Sequence, residues 1–170
     1  MPELHNELPL VYLQIGEAHL ARSPAVLRTV LGSCVGVTLW ARRLELGALC
    51  HGVLPHCPRG MQAPEGFRYV DFAIRKLVQE LENLGALRSE LEVKVFGGAD
   101  VLPVHRSNSG KATVGGQNSQ SALETLRNEN LTLLASDLGG PLGRTIEFNT
   151  ATGEVRVRRL PRDTPIPGEG

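Results

Sequence analysis

Residues 31–40 read LGSCVGVTLW and join a bend to an apolar segment. Gly32 can adopt backbone angles that other residues avoid, so a tight turn directly before Cys34 forms easily. From Val35 onward the apolar side chains alternate, and this period of two predicts a β-strand. A cysteine between a bend and a strand is either a small buried hydrophobe or a thiol presented for chemistry. The local sequence alone favours packing.

Other short apolar segments, rich in Val and Leu, are separated by Gly, Pro and charged turns. They predict strands over residues 11–15, 26–31, 35–39, 48–54, 91–96, 131–135, 145–148 and 154–160. The turn residues of segment 150–154 (TATGE) predict a hairpin between the last two strands.

Two segments have the periodicity of helices. Between residues 69 and 84 apolar side chains recur every three or four positions, and Gly85 is suited to end that helix. A second helix is predicted over residues 118–128. Strands, then helix, strand, helix and three strands predict an α+β fold: a layered α/β sandwich of mixed or antiparallel sheets with two main helices. We expect a single domain over residues 1–160 and a flexible C-terminal tail over residues 161–170.

The composition argues against several classes of protein. Eighteen Lys and Arg residues balance eighteen Asp and Glu residues, so the chain lacks the basic footprint of a nucleic-acid-binding protein. No apolar run approaches the roughly 20 residues that cross a bilayer, and no secretory signal is visible. We therefore expect a cytoplasmic protein without membrane insertion. Three cysteines in a reducing compartment predict thiols and not disulfides.

Cys34 has a candidate partner in His51, seventeen positions further along the chain. Two strands joined by a turn near residues 41–45 would place these side chains next to each other, and a Cys–His pair is the minimal thiol hydrolase. The backbone N–H groups of the turn at Gly32 and Ser33 could then form an oxyanion hole. The residues alone leave this interpretation and a purely structural histidine evenly balanced.

A zinc site is the competing interpretation of the segment that contains Cys50, His51, His56 and Cys57. Adjacent residues in a strand point to opposite faces, and zinc sites usually separate paired ligands by two or more residues. The spacing therefore argues against metal binding.

Six stretches carry a resemblance to a known family. They are LGSCVGVTLW, GALCHGVLP, YVDFAIRKLVQELENLGA, VKVFGGADV, VGGQNSQSALETL and SDLGGPLGRTIEFNTATGEVRVR, in that order over roughly residues 10–160. Together they resemble the chemoreceptor glutamine deamidases of bacterial chemotaxis, known as CheD. The resemblance implies a protein-glutamine glutaminase that converts selected glutamines of methyl-accepting chemotaxis receptors to glutamate and releases ammonia. It also implies that no metal or organic cofactor is required.

The resemblance implies a role for individual residues as well. Cys34 would be the nucleophile and His51 its base, with Gly32 and Ser33 forming the oxyanion turn. The family's third catalytic residue is a threonine six positions before the cysteine, where this chain has Arg28, so Thr29 is the candidate. In a strand a shift of one position moves a side chain to the other face.

The chain departs from the family pattern at the second helix too. The usual Gly, variable residue, Arg and Asn are here Gly115-Gly116-Gln117-Asn118, without the arginine. Two alternatives therefore stay open at the level of sequence. One is a weakly active or inactive regulatory module that pairs with a CheC-type chemotaxis phosphatase. The other is a different thiol hydrolase, such as a peptidase or a toxin-like deamidase.

Overall fold

The computed structural model describes residues 7–101 and 113–168. This part of the chain contains nine strands and two α-helices. The strands are β1 (Leu10–Tyr12), β2 (Ala18–Ala21), β3 (Val26–Leu31), β4 (Val35–Ala41), β5 (Leu46–Gly52), β6 (Glu92–Gly97), β7 (Leu133–Leu138), β8 (Arg144–Asn149) and β9 (Val155–Arg159). The helices are α1 (Val70–Asn83) and α2 (Val114–Asn128).

The strands form two mixed sheets. One has the order β1-β3-β8-β9, with β1 parallel to β3 and the other pairs antiparallel. The other has the order β2-β5-β4-β6-β7, with β6 parallel to β7 and the other pairs antiparallel. The predicted α+β class is confirmed: two mixed sheets and two main helices form a single domain.

The five-stranded sheet is the middle of three layers. Both helices pack on one of its faces, and the four-stranded sheet covers the other. All seven residues of β4 are buried, because this central strand has a core on each side. Its helix-facing side chains Val35, Val37 and Leu39 contact the apolar face of α1, while Trp40 belongs to the core between the sheets.

The helix predictions agree with the structure to within one residue at every boundary except the start of α2. In α1 the predicted apolar positions from Val70 to Leu81 are buried, and Gly85 follows the helix with a φ of +103°. The hairpin between β8 and β9 is confirmed. Helix α2 begins four residues earlier than predicted, since Thr113 caps it: its Oγ1 accepts a hydrogen bond from the N–H of Gly116 at 3.0 Å.

The sequence did not predict β2, a short strand at the edge of the five-stranded sheet. Its residues have little intrinsic β-propensity, so pairing with β5, in the register Ala18↔Cys50 to Ala21↔Gly47, decides its conformation. In the described part of the chain no helix has the length and apolar character that crossing a bilayer requires. Segment 161–168 contains no helix or strand, and the Ile166 side chain contacts Gly143. The division of the chain at residue 160 stays a prediction.

The central position of β4 makes the helix-facing core sensitive to truncation. Leu39 is fully buried, so Leu39→Ala should lower the free energy of unfolding by about 2–5 kcal/mol through lost burial and a residual cavity. Leu134 on β7 is 55% exposed, and Leu134→Ala should change the free energy of unfolding by less than about 0.5 kcal/mol. Urea denaturation measures both values, and equal losses would contradict this description of the core.

Candidate active site

The bend before β4 is held by the loop that follows β6. The N–H of Ala99 donates to the carbonyl of Gly32, and the N–H of Gly98 donates to the carbonyl of Cys34, each at 2.9 Å. Two of the three carbonyl groups of residues 32–34 are therefore fixed by backbone donors. Cys34 is 4% exposed and lies directly before the first paired residue of β4.

Gly97 allows this loop to approach the bend. It has a φ of +102°, a conformation that residues with a side chain rarely adopt. A Cβ placed on Gly97 would also collide with the carbonyl oxygen of Cys34. Both the backbone conformation and the close approach therefore require glycine here.

His51 is presented by β5, on the same face of the sheet as Cys34. Its partner across the β4–β5 ladder is Gly36, and Cys34 lies two residues before Gly36. Such diagonal neighbours have Cα atoms about 7–8 Å apart, within reach of a long side chain such as imidazole. The backbone of His51 is fixed as well, because its N–H donates to Glu17 and its carbonyl accepts from Gly16, each at 2.9 Å.

Thr29 reaches His51 from the opposite sheet. Strand β3 alternates between partly exposed and buried residues, and Thr29 is on its buried face. Its Oγ1 lies 2.7 Å from Nδ1 of His51 and 2.8 Å from the carbonyl oxygen of Leu13. Arg28 points to the outer face, where its Nε donates to Glu147 at 2.7 Å. Of the two positions that the sequence left in question, Thr29 is the one that contacts the histidine.

These two hydrogen bonds assign the histidine tautomer. A threonine hydroxyl has one proton, and the carbonyl of Leu13 can only accept, so the Thr29 hydroxyl donates to Leu13. Nδ1 of His51 must then carry a proton and donate it to Oγ1 of Thr29. The other ring nitrogen, Nε2, keeps its lone pair. It is buried and has no hydrogen-bond partner among the described residues.

Burial lowers the pKa of His51 to about 4. Desolvation penalises the charged imidazolium, and the partner on Nδ1 is a neutral hydroxyl that cannot offset the penalty as a carboxylate would. The side chain is therefore neutral at physiological pH. A neutral imidazole with a free Nε2 lone pair is a proton acceptor.

A cavity of about 390 Å³ reaches the histidine from the surface. His51 is itself only 2% exposed, and of the three side chains of the candidate site it is the one that lines this cavity. One wall is made by Pro167 and Gly168 near the C-terminus, and the other lining residues are Tyr12, Leu13, Gln14, Ile15, Val30 and His51.

The other two cysteines lie away from this face. Cys50 points into the helix-facing core, and burial raises its pKa to about 12, which makes it a poor nucleophile. Desolvation and the nearby Asp71 raise the pKa of Cys57. Cys50 and His51 point to opposite faces, as the argument against zinc required. Over residues 7–101 and 113–168 no cluster of three or more Cys, His, Asp or Glu side chains is arranged to hold a metal.

Asn118 belongs to this region, although sequence reasoning assigned it no role beyond its place in a motif. It lies in α2 and is fully buried. Its Nδ2 donates to the carbonyl of Ser33 at 3.1 Å and to that of Val53 at 3.0 Å. The signal that could have found it was its spacing, because Asn118 is four residues before Ala122 and so lies on the inner face of the helix. Gln117, at the position of the missing arginine, is exposed.

Thiol, imidazole and hydroxyl side chains that converge between two sheets have the composition of a thiol hydrolase site. Residues 53–159 match the family described as CheD chemotactic sensory transduction. The chain belongs to the CheD family. The matched range begins after His51, so the three side chains of the site lie outside it.

Full-length relatives extend the match across the site. A protein of Geobacter sulfurreducens, named probable chemoreceptor glutamine deamidase CheD 2, is 42% identical over 162 residues, covering 95% of this chain and 97% of the relative. A protein of Maridesulfovibrio salexigens, named probable chemoreceptor glutamine deamidase CheD, is 36% identical, and the match covers 94% of this chain and 97% of the relative. A protein of Pyrococcus horikoshii with the same name is 38% identical, and the match covers 88% of this chain and 92% of the relative.

Replacement of Gly97 should disturb the bend more than replacement of a glycine in open space. Gly60 has a φ of +83° and open space within 4 Å of where a Cβ would lie, so Gly60→Ala should cost only the backbone penalty of about 1–2 kcal/mol. Gly97→Ala adds the collision with Cys34 and should be destabilised further. Urea denaturation measures both losses of stability, and equal losses in the two variants would refute the role given to Gly97.

The pKa of His51 predicts a specific dependence of stability on pH. The pKa of His51 is about 4 in the folded protein and 6.5 in the unfolded chain. Between these pH values His51 is protonated only in the unfolded chain. The contribution of His51 to the free energy of unfolding should be fully present above pH 6.5 and fall by about 3 kcal/mol as the pH drops to 4.

The matched control is His51→Gln, which removes the titrating group. Denaturation of both proteins from pH 4 to pH 8 isolates the contribution of His51, because the other ionisable groups are common to both. Parallel stability curves would contradict the assigned pKa.

Proposed function

We propose that this protein hydrolyses the side-chain amide of glutamine residues on methyl-accepting chemotaxis receptors, the activity named for its relatives. The observation that carries the proposal is the hydrogen bond between Nδ1 of His51 and Thr29, which leaves Nε2 as a proton acceptor on the face that Cys34 shares. In this proposal Cys34 is the nucleophile, His51 the general base and Thr29 the residue that orients the base.

The first half of the reaction forms a thioester. The sulfur of Cys34 attacks the carboxamide carbon while Nε2 of His51 takes the thiol proton. Burial disfavours the charged imidazolium of His51 before the attack. The thiol proton therefore moves to Nε2 as the S–C bond forms, and not in a separate earlier step. The backbone N–H groups of the Gly32–Ser33–Cys34 turn stabilise the oxyanion. His51 then returns the proton to the departing nitrogen, and ammonia leaves.

The second half consumes one water molecule. Nε2 of His51 accepts a proton from water as its oxygen attacks the thioester carbon. Collapse of the tetrahedral intermediate breaks the S–C bond, releases glutamate and returns the proton to the sulfur of Cys34. Side chains, backbone N–H groups and water supply every group in this scheme, so the mechanism requires no metal or organic cofactor.

Two further parts of the proposal concern the cellular setting. The chain's three cysteines form no disulfide and are best kept reduced in the cytoplasm, where we place the protein. We also propose a CheC-type chemotaxis phosphatase as a regulatory partner, on the strength of family membership. The enzyme is the better-supported candidate, because a histidine with an acceptor nitrogen lies on the same face of the sheet as Cys34.

The proposed reaction predicts a graded set of variants. Wild type should convert glutamine to glutamate in peptides from a chemoreceptor, and Cys34→Ala should abolish the conversion. Thr29→Val removes the hydroxyl that orients His51 and should lower kcat/KM roughly 10–100-fold, the effect of about 1.5–3 kcal/mol. Thr29→Ser retains the hydroxyl and should stay near wild type. Mass spectrometry of the peptides follows the conversion.

Cys57→Ala is the matched thiol control and should retain full activity. Conversion by Cys34→Ala, or unchanged glutamines with wild type, would overturn the proposed function. Equal activity of Thr29→Val and Thr29→Ser would refute the role of the Thr29 hydroxyl and would leave the proposed function standing.

A further inference from the structure

Asn118 joins the two chain segments that carry the proposed nucleophile and base. One of its carbonyl partners belongs to Ser33, directly before Cys34, and the other belongs to Val53, two residues after His51. Continuing the register of the β4–β5 ladder places Cys34 opposite Val53. The amide therefore bridges the two segments where their ladder of backbone hydrogen bonds ends.

The bond to Ser33 also fixes the direction of the N–H of Cys34. A peptide unit is planar, so its C=O and its N–H point in opposite directions. The carbonyl of Ser33 and the N–H of Cys34 belong to the same unit. When Nδ2 of Asn118 holds that carbonyl, it turns the N–H of Cys34 away from α2.

Asn118 completes a set of three donors behind the turn. The carbonyls of Gly32 and Cys34 accept from backbone N–H groups of the loop after β6, and the carbonyl between them accepts from Asn118. This middle donor is the only one of the three that a side chain supplies.

The first turn of α2 is packed against that same loop. A Cβ on Gly115 would lie 2.5 Å from the carbonyl oxygens of Gly98 and Ala99, so helix and loop form one continuous support. This close packing of the helix against the loop fixes the position of Asn118 relative to the turn.

The amide of Asn118 is oriented so that its nitrogen donates to the two carbonyls, and its oxygen is left unpaired as a result. Nδ2 must face the two carbonyls, because Oδ1 in its place would meet acceptors only. Oδ1 is consequently buried without a hydrogen-bond partner among the described residues. Asn118 therefore makes its two donated hydrogen bonds at the cost of an unpaired buried oxygen, and such an exception calls for an explanation.

We propose that Asn118 is a positioning residue that orients the Ser33–Cys34 peptide so that the N–H of Cys34 stabilises the oxyanion. This inference rests on the proposed function. It predicts that loss of Asn118 slows the step in which negative charge develops on the carboxamide oxygen. It predicts little effect on reactions of the sulfur that form no oxyanion.

Asn118→Ala should lower kcat for glutamine deamidation by about 100-fold, the typical effect of losing an oxyanion-hole donor, with KM changed less than about 3-fold. Alkylation of Cys34 by iodoacetamide is a direct displacement without an oxyanion, so its rate should change less than about 3-fold. Asn118→Asp preserves the shape but lacks both donors, and its kcat should fall at least as far.

Ser121→Ala is the matched control, since Ser121 donates from the same helix to the carbonyl of Pro55, outside the turn, at 2.5 Å. It should leave kcat near wild type. The folded fraction of each variant is measured by denaturation, and kcat is expressed per folded molecule. Partial unfolding then cannot account for a fall in kcat. Wild-type kcat in the two Asn118 variants, or an equal fall in alkylation and kcat, would overturn the inference. Absence of deamidation by wild type would instead refute the proposed function.

Discussion

The hydrogen bond between Thr29 and His51 connects the two sheets of this protein at its candidate site. Each partner is fixed by its own sheet: Thr29 by β3, which pairs with β8, and His51 by β5, which pairs with β4. The 2.7 Å contact therefore requires the two sheets to be stacked in one relative position. The packing of apolar side chains between the sheets sets that position, and the polar site depends on it.

Burial without a carboxylate gives this histidine its chemical character. In serine proteases an aspartate stabilises the imidazolium, whereas here a threonine hydroxyl orients the ring and leaves it neutral. A neutral base is available across the physiological pH range. The consequence is a stability that declines in acid, because the folded protein resists protonation of His51.

The turn that contains Cys34 depends on elements far away in the sequence. The loop after β6 and Asn118 of α2 hold three successive carbonyls of this turn. Such a rigid support suits a nucleophile whose backbone must keep one direction during a reaction. The names of the relatives and the side chains of the site both support the proposed amide hydrolysis.

The sequence by itself determined the alternation of apolar residues, both helices and the α+β class, because these depend on local periodicity. It also singled out Cys34 and His51, through a bend and a spacing that suits two paired strands. Only the tertiary structure showed that Thr29, and not Arg28, contacts His51, since the faces of β3 are defined by the sheet stacked on it. Tertiary packing likewise made β2 a strand and brought Asn118 to its two carbonyl partners, 85 and 65 residues away. Contacts between segments so distant in the chain leave no local pattern from which they could be predicted.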